Sequence, residues 1–192
     1  MRKIRNVLSL FNGISCGNVS LEKSGIRFDT YYSSEIDSYA IQITQSNYPN
    51  TVQLGDVTNW REWDIDWSSI DLLLAGSPCT QISKANTSIE GNKGIYGKDS
   101  VLFFTFSDIL NHIKIYNPDV KFLLENVKMK QEYKDTISEY VGTKPVLINS
   151  ALVSAQSRHR LYWTNLSNAI AQRQRYLTKG RGFFRRVSSS FT

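Results

Sequence analysis

The chain has 192 residues, and its 23 Lys and Arg exceed its 17 Asp and Glu, giving a formal charge of +6 at pH 7. Fractions of 41% hydrophobic and 21% charged residues exclude a wholly disordered chain. No apolar run approaches the roughly 20 residues that span a bilayer, and the N-terminal apolar run is too short for a signal-peptide core. Two cysteines and two histidines argue against a disulfide framework and a structural zinc site. We therefore expect a reducing, cytoplasmic setting, with no metal and no membrane.

The surplus charge is confined to the C-terminus. Residues 1–167 hold 17 basic and 17 acidic residues, whereas residues 168–192 hold six basic residues and no acidic one. The composition therefore divides the chain into a neutral body, residues 1–167, and a basic tail, residues 168–192. We expect the tail to be poorly ordered.

Strands and helices alternate through the body. Short apolar runs bounded by turn residues predict strands, and apolar residues at a spacing of three or four predict helices. In chain order we predict a strand at 7–11, a helix at 15–24, a strand at 28–32, a helix at 38–46, strands at 52–54 and 70–75, a helix at 101–116, a strand at 120–124, a helix at 131–141, and strands at 146–148 and 160–163. The helix 101–116 carries a predicted core stripe of Leu102, Phe106, Ile109, Ile113 and Tyr116. Residues 59–69 show no clear period. The alternation predicts an α/β fold with a doubly wound, mostly parallel sheet.

Candidate cofactor residues follow the first three strands. Ligands of open α/β sheets bind beyond the carboxyl ends of the strands. Glycines in residues 11–17 let the backbone approach a ligand, and the next helix offers free N–H groups. Glu35 is placed to accept bonds from ribose hydroxyls, and Asp56 is a candidate for an adenine amino group. Singly these residues are also typical of turns and solvated surface positions, but their order favours a nucleoside cofactor.

Candidate reactive residues follow the later strands. Cys79 leaves the fourth strand after a proline, which suits an accessible nucleophile that needs activation, although lone cysteines are commonly small buried hydrophobes. Glu125 directly follows an apolar run, so partial desolvation favours its protonated form and an acid role over a solvated one. Arg158 and Arg160 alternate and so share a face, as a solvated charged surface or as a clamp for a polar ring or phosphate.

This ordered set resembles the C5-cytosine-specific DNA methyltransferase family. The matching stretches occur over residues 7–165 and are Phe11-Asn12-Gly13-Ile14-Ser15-Cys16-Gly17, Glu35, Gly55-Asp56-Val57, Gly76-Ser77-Pro78-Cys79, Gly97 with Ser100-Val101-Leu102-Phe103, Glu125-Asn126-Val127 and Gln156-Ser157-Arg158-His159-Arg160. The resemblance implies a Rossmann-like fold that binds S-adenosyl-L-methionine and methylates C5 of cytosine in DNA through a covalent cysteine adduct. In that mechanism Cys79 attacks C6 and Glu125 protonates N3. Arg158 and Arg160 would steady the base and the sulfur.

The resemblance also implies which residues hold the cofactor and how DNA is bound. The implied cofactor contacts are Phe11, Asn12, Gly13, Gly17, Glu35, Ile36, Asp56, Val57, Pro78, Ser100 and Leu102. The target cytosine must be flipped out of the duplex, and residues 81–99 are expected to close over it as a lid. Asn12 stands where the family usually has Ala or Asp, and Thr80 where it has Gln or Asn. A bacterial or phage-infected cell, with a restriction-modification role, is the expected setting.

The resemblance fails in the basic tail. The family continues with a target-recognition domain and closing motifs, and the 27 residues after Asn165 are too few to supply them. The tail is interpreted as the out-of-frame end of a truncated reading frame, as a basic arm that grips phosphates, or as the sign of a split enzyme whose partner polypeptide supplies recognition. The alternative functions are accordingly a truncated or degenerate non-catalytic protein, one half of a split enzyme, or an enzyme that acts on RNA.

Overall fold

The computed structural model describes residues 4–76, 98–152 and 154–166, and the side chains of 98–100 are not included. These ranges contain a seven-stranded sheet with strand order β3-β2-β1-β4-β5-β7-β6. In chain order the elements are β1 (Ile4–Leu10), α1 (Cys16–Lys23), β2 (Phe28–Ser34), α2 (Ser38–Asn47), β3 (Val52–Gln53), β4 (Ile70–Gly76), α3 (Lys98–Tyr116), β5 (Lys121–Val127), α4 (Gln131–Val141), β6 (Val146–Asn149) and β7 (His159–Thr164). Three short 3-10 helices span Val57–Glu62, Trp67–Ser69 and Ser150–Leu152.

The sheet is parallel from β3 to β5 and antiparallel at β7. Strand β7 pairs antiparallel with both β5 and β6. From β1 the chain winds outward through β2 to β3, and from β4 it winds the other way to β5, so the order reverses between β1 and β4. The prediction of a doubly wound, mostly parallel sheet is confirmed. A crevice for ligands is expected beside this reversal, beyond the carboxyl ends of β1 and β4.

The sheet buries side chains on both faces, which explains why its strands read as continuous apolar runs. Leu8 and Leu73 pack with the helix residues Phe106 and Ile109 in the larger cluster. Val7, one residue from Leu8, packs in a smaller cluster on the other side. The smaller cluster contains Ile4, Val7, Leu21, Tyr31 and Leu72. Successive residues of β1 therefore anchor helices to opposite faces.

Three details of the predicted elements are wrong, and one segment without a predicted element contains short helices. Glu125 lies inside β5 rather than after it, because β7 continues to pair with β5 as far as Val127. Phe11 lies outside β1, since its φ of 54° turns the chain out of the strand. Tyr116, placed in the core stripe, is 54% exposed because it ends α3. Residues 59–69 are largely covered by two short 3-10 helices.

Helix α3 is the longest helix described, and none of the helices in the described ranges is both long and apolar enough to cross a bilayer.

Asp37 caps the N-terminus of α2. Its carboxylate accepts hydrogen bonds from the backbone N–H groups of Tyr39 at 2.8 Å and Ala40 at 3.0 Å. We expect Asp37→Ala to lower the free energy of unfolding by about 1 kcal/mol, because two helix N–H groups lose their acceptor. Urea denaturation measures this loss. Asp64→Ala, which removes an exposed carboxylate outside any helix, is the control, and an equal loss in both variants would contradict the capping role.

Candidate active site

The loop between β1 and α1 adopts an unusual backbone conformation. Phe11, Gly13 and Ser15 have φ values of 54°, 56° and 67°, in the left-handed region. Glycine adopts this region freely, whereas each of the two other residues is strained by roughly 1–2 kcal/mol. The backbone N–H of Asn12 donates to the carbonyl of Ser34 at 3.2 Å. The end of β2 therefore holds the loop in this shape.

Glu35 joins the same loop to the start of α2. Its Oε2 accepts from the backbone N–H of Gly13 at 2.7 Å, and its Oε1 accepts from Ile36 at 2.9 Å and from Asp37 at 3.0 Å. A carboxylate offers about four acceptor positions, so one on Oε2 is left for a ligand hydroxyl. Ile36, directly after it, is 74% exposed and offers an apolar surface beside this acceptor. Both residues directly follow the carboxyl end of β2.

Asp56 lies three residues after the end of β3 and directly follows the left-handed Gly55. Its Oδ1 accepts from the backbone N–H of Thr58 at 2.8 Å and from the hydroxyl of Thr58 at 2.9 Å. The hydroxyl of Ser34 donates to the carbonyl of Gly55 at 2.8 Å and fixes this turn against β2. Val57, the next predicted contact, has its side chain buried in the larger core.

The remaining predicted cofactor residues are placed as follows. Leu102 is half-buried against the larger core. Gly17, in the first turn of α1, lies against the sheet, and a Cβ there would meet the Tyr31 hydroxyl and would lie 2.9 Å from Leu74 Cδ1. Pro78 and the side chain of Ser100 lie outside the described residues, as do Cys79, most of the predicted lid and the tail 168–192.

Glu125 and Arg160 form an ion pair level with the end of β4, where Glu125 is paired with Gly76. The Arg160 Nε lies 2.7 Å from Glu125 Oε1, and the two side chains are 20% and 31% exposed. Arg160 is opposite Val127 in the antiparallel register and Tyr162 is opposite Glu125, so Arg160 and Glu125 are diagonal neighbours on one face. A partly desolvated pair of this kind is stronger than an ion pair at the surface.

Tyr162 shares the face of this pair. Burial raises the pKa of the Tyr162 phenol, the negative charge of Glu125 raises it further, and Arg160 and Arg158 act in the opposite direction. Arg158 precedes β7 and is exposed, and its backbone N–H donates to Asn149 Oδ1 at 3.0 Å. The structure therefore brings Glu125 and Arg160 together and leaves Arg158 at the edge of the same face.

Gly76 lies next to the Glu125 carboxylate. The two residues are paired in the parallel register of β4 and β5, and a Cβ at Gly76 would lie 3.5 Å from Glu125 Oε2. The carboxylate thus overhangs the last residue of β4, which precedes Cys79 by three positions. The candidate acid stands at the end of the strand from which the candidate nucleophile departs.

Two polar side chains that support the loop were missed from the sequence. The Tyr31 hydroxyl donates to Asn12 Oδ1 at 3.0 Å, and the Thr44 hydroxyl donates to the carbonyl of Gly13 at 3.3 Å. Both residues are buried within regular elements, β2 and α2. Only the alternation of β2 could have signalled Tyr31, because alternation places its side chain on the face toward α1.

The model of the C-5 cytosine-specific DNA methylase family matches residues 5–175. The chain belongs to this family. It is 34% identical over 122 residues to the type II methyltransferase M.NlaX of Neisseria lactamica, covering 64% of this chain and 36% of the relative. It is 30% identical over 149 residues to the type II methyltransferase M.NgoBV of Neisseria gonorrhoeae, covering 74% and 33%. The resemblance inferred from the motifs is confirmed, and the chain spans about a third of these relatives.

Solved structures share the fold. The methyltransferase EhMeth of Entamoeba histolytica matches with a TM-score of 0.63 and 19% identity, covering 85% of this chain and 53% of the other. A DNMT2 variant of Spodoptera frugiperda matches with a TM-score of 0.58 and 20% identity, covering 85% and 51%. The Rossmann-like type of the sheet is thereby confirmed.

Proposed function

We propose that this chain carries the catalytic centre that transfers a methyl group from S-adenosyl-L-methionine to C5 of cytosine in DNA. The observation that carries this proposal is the Glu125–Arg160 pair, which joins β5 to β7 beside Gly76, the last residue of β4. Members of the family use this cofactor, which when bound supplies a methyl group on a positively charged sulfur. The β1–α1 loop and Glu35 lie on the other side of the strand-order reversal.

The residues beyond β1, β2 and β3 fit such a cofactor in their chemistry. The remaining acceptor of Glu35 suits a ribose hydroxyl, and the carboxylate of Asp56 suits an amino group of adenine. The exposed side chain of Ile36 provides an apolar surface for a planar ring. The loop from Phe11 to Gly13 brings backbone close to the same crevice.

Cys79 is the proposed nucleophile. It lies three positions after Gly76, a length of chain that spans at most about 11 Å, and Gly76 is paired with Glu125. Its thiolate forms a bond to C6 of the flipped cytosine, and the π electrons of the C5–C6 bond move toward C5 and N3. Glu125 delivers a proton to N3, so negative charge does not build on the ring.

The remaining steps methylate the cytosine and release it from Cys79. C5 would take the methyl group, the electron pair of the broken bond staying on the cofactor sulfur, and a general base would then remove the proton from C5 while the N3 proton returns to Glu125. The electron pair of that C–H bond re-forms the C5–C6 double bond and expels the Cys79 thiolate. Arg160 orients Glu125 through its Nε, and the exposed Arg158 is available to a phosphate or to the thiolate.

Target recognition is proposed to come from outside the body 1–167. The chain spans about a third of its bacterial relatives, and the described residues account for the cofactor loop and the Glu125–Arg160 pair. A partner polypeptide or the basic tail 168–192 would supply the remaining contacts to DNA. The names of the two type II relatives support a restriction-modification role, and we propose that the chain acts in the cytoplasm.

Transfer of labelled methyl groups tests the proposal. The purified chain is incubated with radiolabelled S-adenosyl-L-methionine and with unmethylated duplex DNA, RNA or no nucleic acid. The expected result is label in the DNA alone, recovered as 5-methylcytosine after hydrolysis. Label in RNA alone would show that the substrate is RNA rather than DNA. A folded chain that binds the cofactor but transfers no label would contradict catalysis by this chain on its own.

A further inference from the structure

The β1–α1 loop needs a support that the cofactor residues do not provide. Phe11 and Ser15 are held in the left-handed region, and such strain persists only where surrounding groups fix it. The backbone bonds to Ser34 and Glu35 hold the start of the loop from the side of β2. At the junction with α1, Asn18 Nδ2 donates to Ser15 Oγ at 3.0 Å, and a further contact comes from the face of the sheet.

Tyr31 supplies that contact from the middle of β2. Its ring is 3% exposed and packs in the smaller cluster with Val7 and Leu21. Its hydroxyl passes beyond this apolar cluster and donates to Asn12 Oδ1 at 3.0 Å. Burial raises the pKa of Tyr31 to about 12, so the hydroxyl keeps its proton at any working pH.

The same hydroxyl occupies the space that a side chain at Gly17 would need. A Cβ at Gly17 would collide with the Tyr31 hydroxyl oxygen, whereas the next ring atom, Tyr31 Cζ, would lie at an ordinary 3.5 Å. The end of the Leu74 side chain, at 2.9 Å, can shift. One oxygen atom therefore bonds to Asn12 and fills the space beside Gly17.

We propose that Tyr31 is the positioning residue of the cofactor loop, acting through its hydroxyl on Asn12 and Gly17. This role rests on the proposed function, since the loop is taken to hold S-adenosyl-L-methionine. It also accounts for Asn12, whose amide oxygen is the acceptor that Ala could not provide. In this proposal Tyr31 orients the loop and does not itself contact the cofactor.

Binding of S-adenosylhomocysteine, measured by calorimetry, is the first test. We expect Tyr31→Phe to raise the dissociation constant about fivefold, the equilibrium effect of losing one typical hydrogen bond. Tyr32→Phe removes a hydroxyl from the next residue, whose ring packs on the opposite face, and should leave binding unchanged. Equal binding by Tyr31→Phe and the wild type would overturn the proposal. Absence of binding by the wild type would instead contradict the proposed cofactor.

Hydrogen exchange of the unliganded chain tests the positioning role without the cofactor. Amides of residues 12–18 should exchange about fivefold faster in Tyr31→Phe than in the wild type, and at the wild-type rate in Tyr32→Phe. Unchanged exchange across these residues in Tyr31→Phe would contradict the inference even if no ligand binds.

A rescue experiment separates positioning from general stability. Gly17→Ala should weaken S-adenosylhomocysteine binding at least fivefold, because the loop must move away from the Tyr31 hydroxyl. In the double variant Gly17→Ala/Tyr31→Phe the collision is gone, so binding should return to the level of Tyr31→Phe alone. Additive losses in binding, or a similar loss of exchange protection throughout the sheet, would show that Tyr31 only stabilises the fold. Either result would contradict the positioning role.

Discussion

Replacing Cys79 by serine is expected to lower methyl transfer by roughly 10³-fold or more, with cofactor binding unchanged. A serine hydroxyl stays protonated at neutral pH and is a weaker nucleophile than a thiolate, so the bond to C6 forms far more slowly. Losses of this size or larger follow when an enzyme loses its nucleophile. Initial rates of label transfer to DNA, beside the dissociation constant of S-adenosylhomocysteine, measure both expectations.

Covalent capture identifies which cysteine reacts. DNA that contains 5-fluorocytosine has no proton at C5, so the final elimination cannot occur and the sulfur–C6 bond persists. The wild type should form an adduct that survives denaturing electrophoresis. Cys16→Ser, the same chemical change at the exposed cysteine that begins α1, should still form it, and Cys79→Ser should not. An adduct with Cys79→Ser would rule out the proposed mechanism.

Most of the sheet could be predicted from the sequence because its strands are buried on both faces. Val7 and Leu8 point to opposite sides and both are fully buried, so the strand appears as an uninterrupted apolar run. The turn at Gly13 and the carboxylate of Glu35 can also be predicted from the sequence, because ligands of α/β sheets bind at strand ends. The order of these motifs along the chain indicates the family, which the family model confirms.

The features that sequence reasoning missed depend on contacts between distant segments. The apolar run that stops at Leu124 predicts that Glu125 follows the strand, but pairing with β7 extends β5 through Val127. The ion pair to Arg160 depends on that antiparallel register, and a shift of one residue would move Arg160 to the other face. Tyr31 gave no sign of its role, because its hydroxyl partner is 19 residues away.

The reversal of strand order separates the two proposed tasks. Elements β1 to β3 carry the loop, Glu35 and Asp56, whereas β4, β5 and β7 carry Gly76, Glu125 and Arg160. Strands β1 and β4 are neighbours. A methyl donor held beyond β1 to β3 and a cytosine held beside β4, β5 and β7 can therefore meet where β1 and β4 adjoin. This division predicts that substitutions on the two sides affect different measurements.

Replacing Glu125 by glutamine is the sharpest test on the base side, and it is expected to lower methyl transfer by roughly 10² to 10⁴-fold. Glutamine keeps the shape of the side chain but cannot give a proton to N3, so negative charge develops on the ring. The dissociation constant of S-adenosylhomocysteine should stay within twofold of the wild type. Glu139→Gln, which neutralises an exposed carboxylate on α4, is the matched control. Transfer by Glu125→Gln within threefold of the wild type would contradict the acid role.

A double variant shows whether Arg160 works through Glu125. If the 2.7 Å ion pair serves to orient the carboxylate, Arg160→Gln slows transfer only while Glu125 is present. Glu125→Gln/Arg160→Gln should then be no slower than Glu125→Gln alone, because residues that act as a unit are not additive. Fully additive losses would instead mean that Arg160 contributes separately, as expected for a guanidinium that binds the base directly. In that case the salt bridge fixes the positions of both side chains, and each side chain then acts on the base independently.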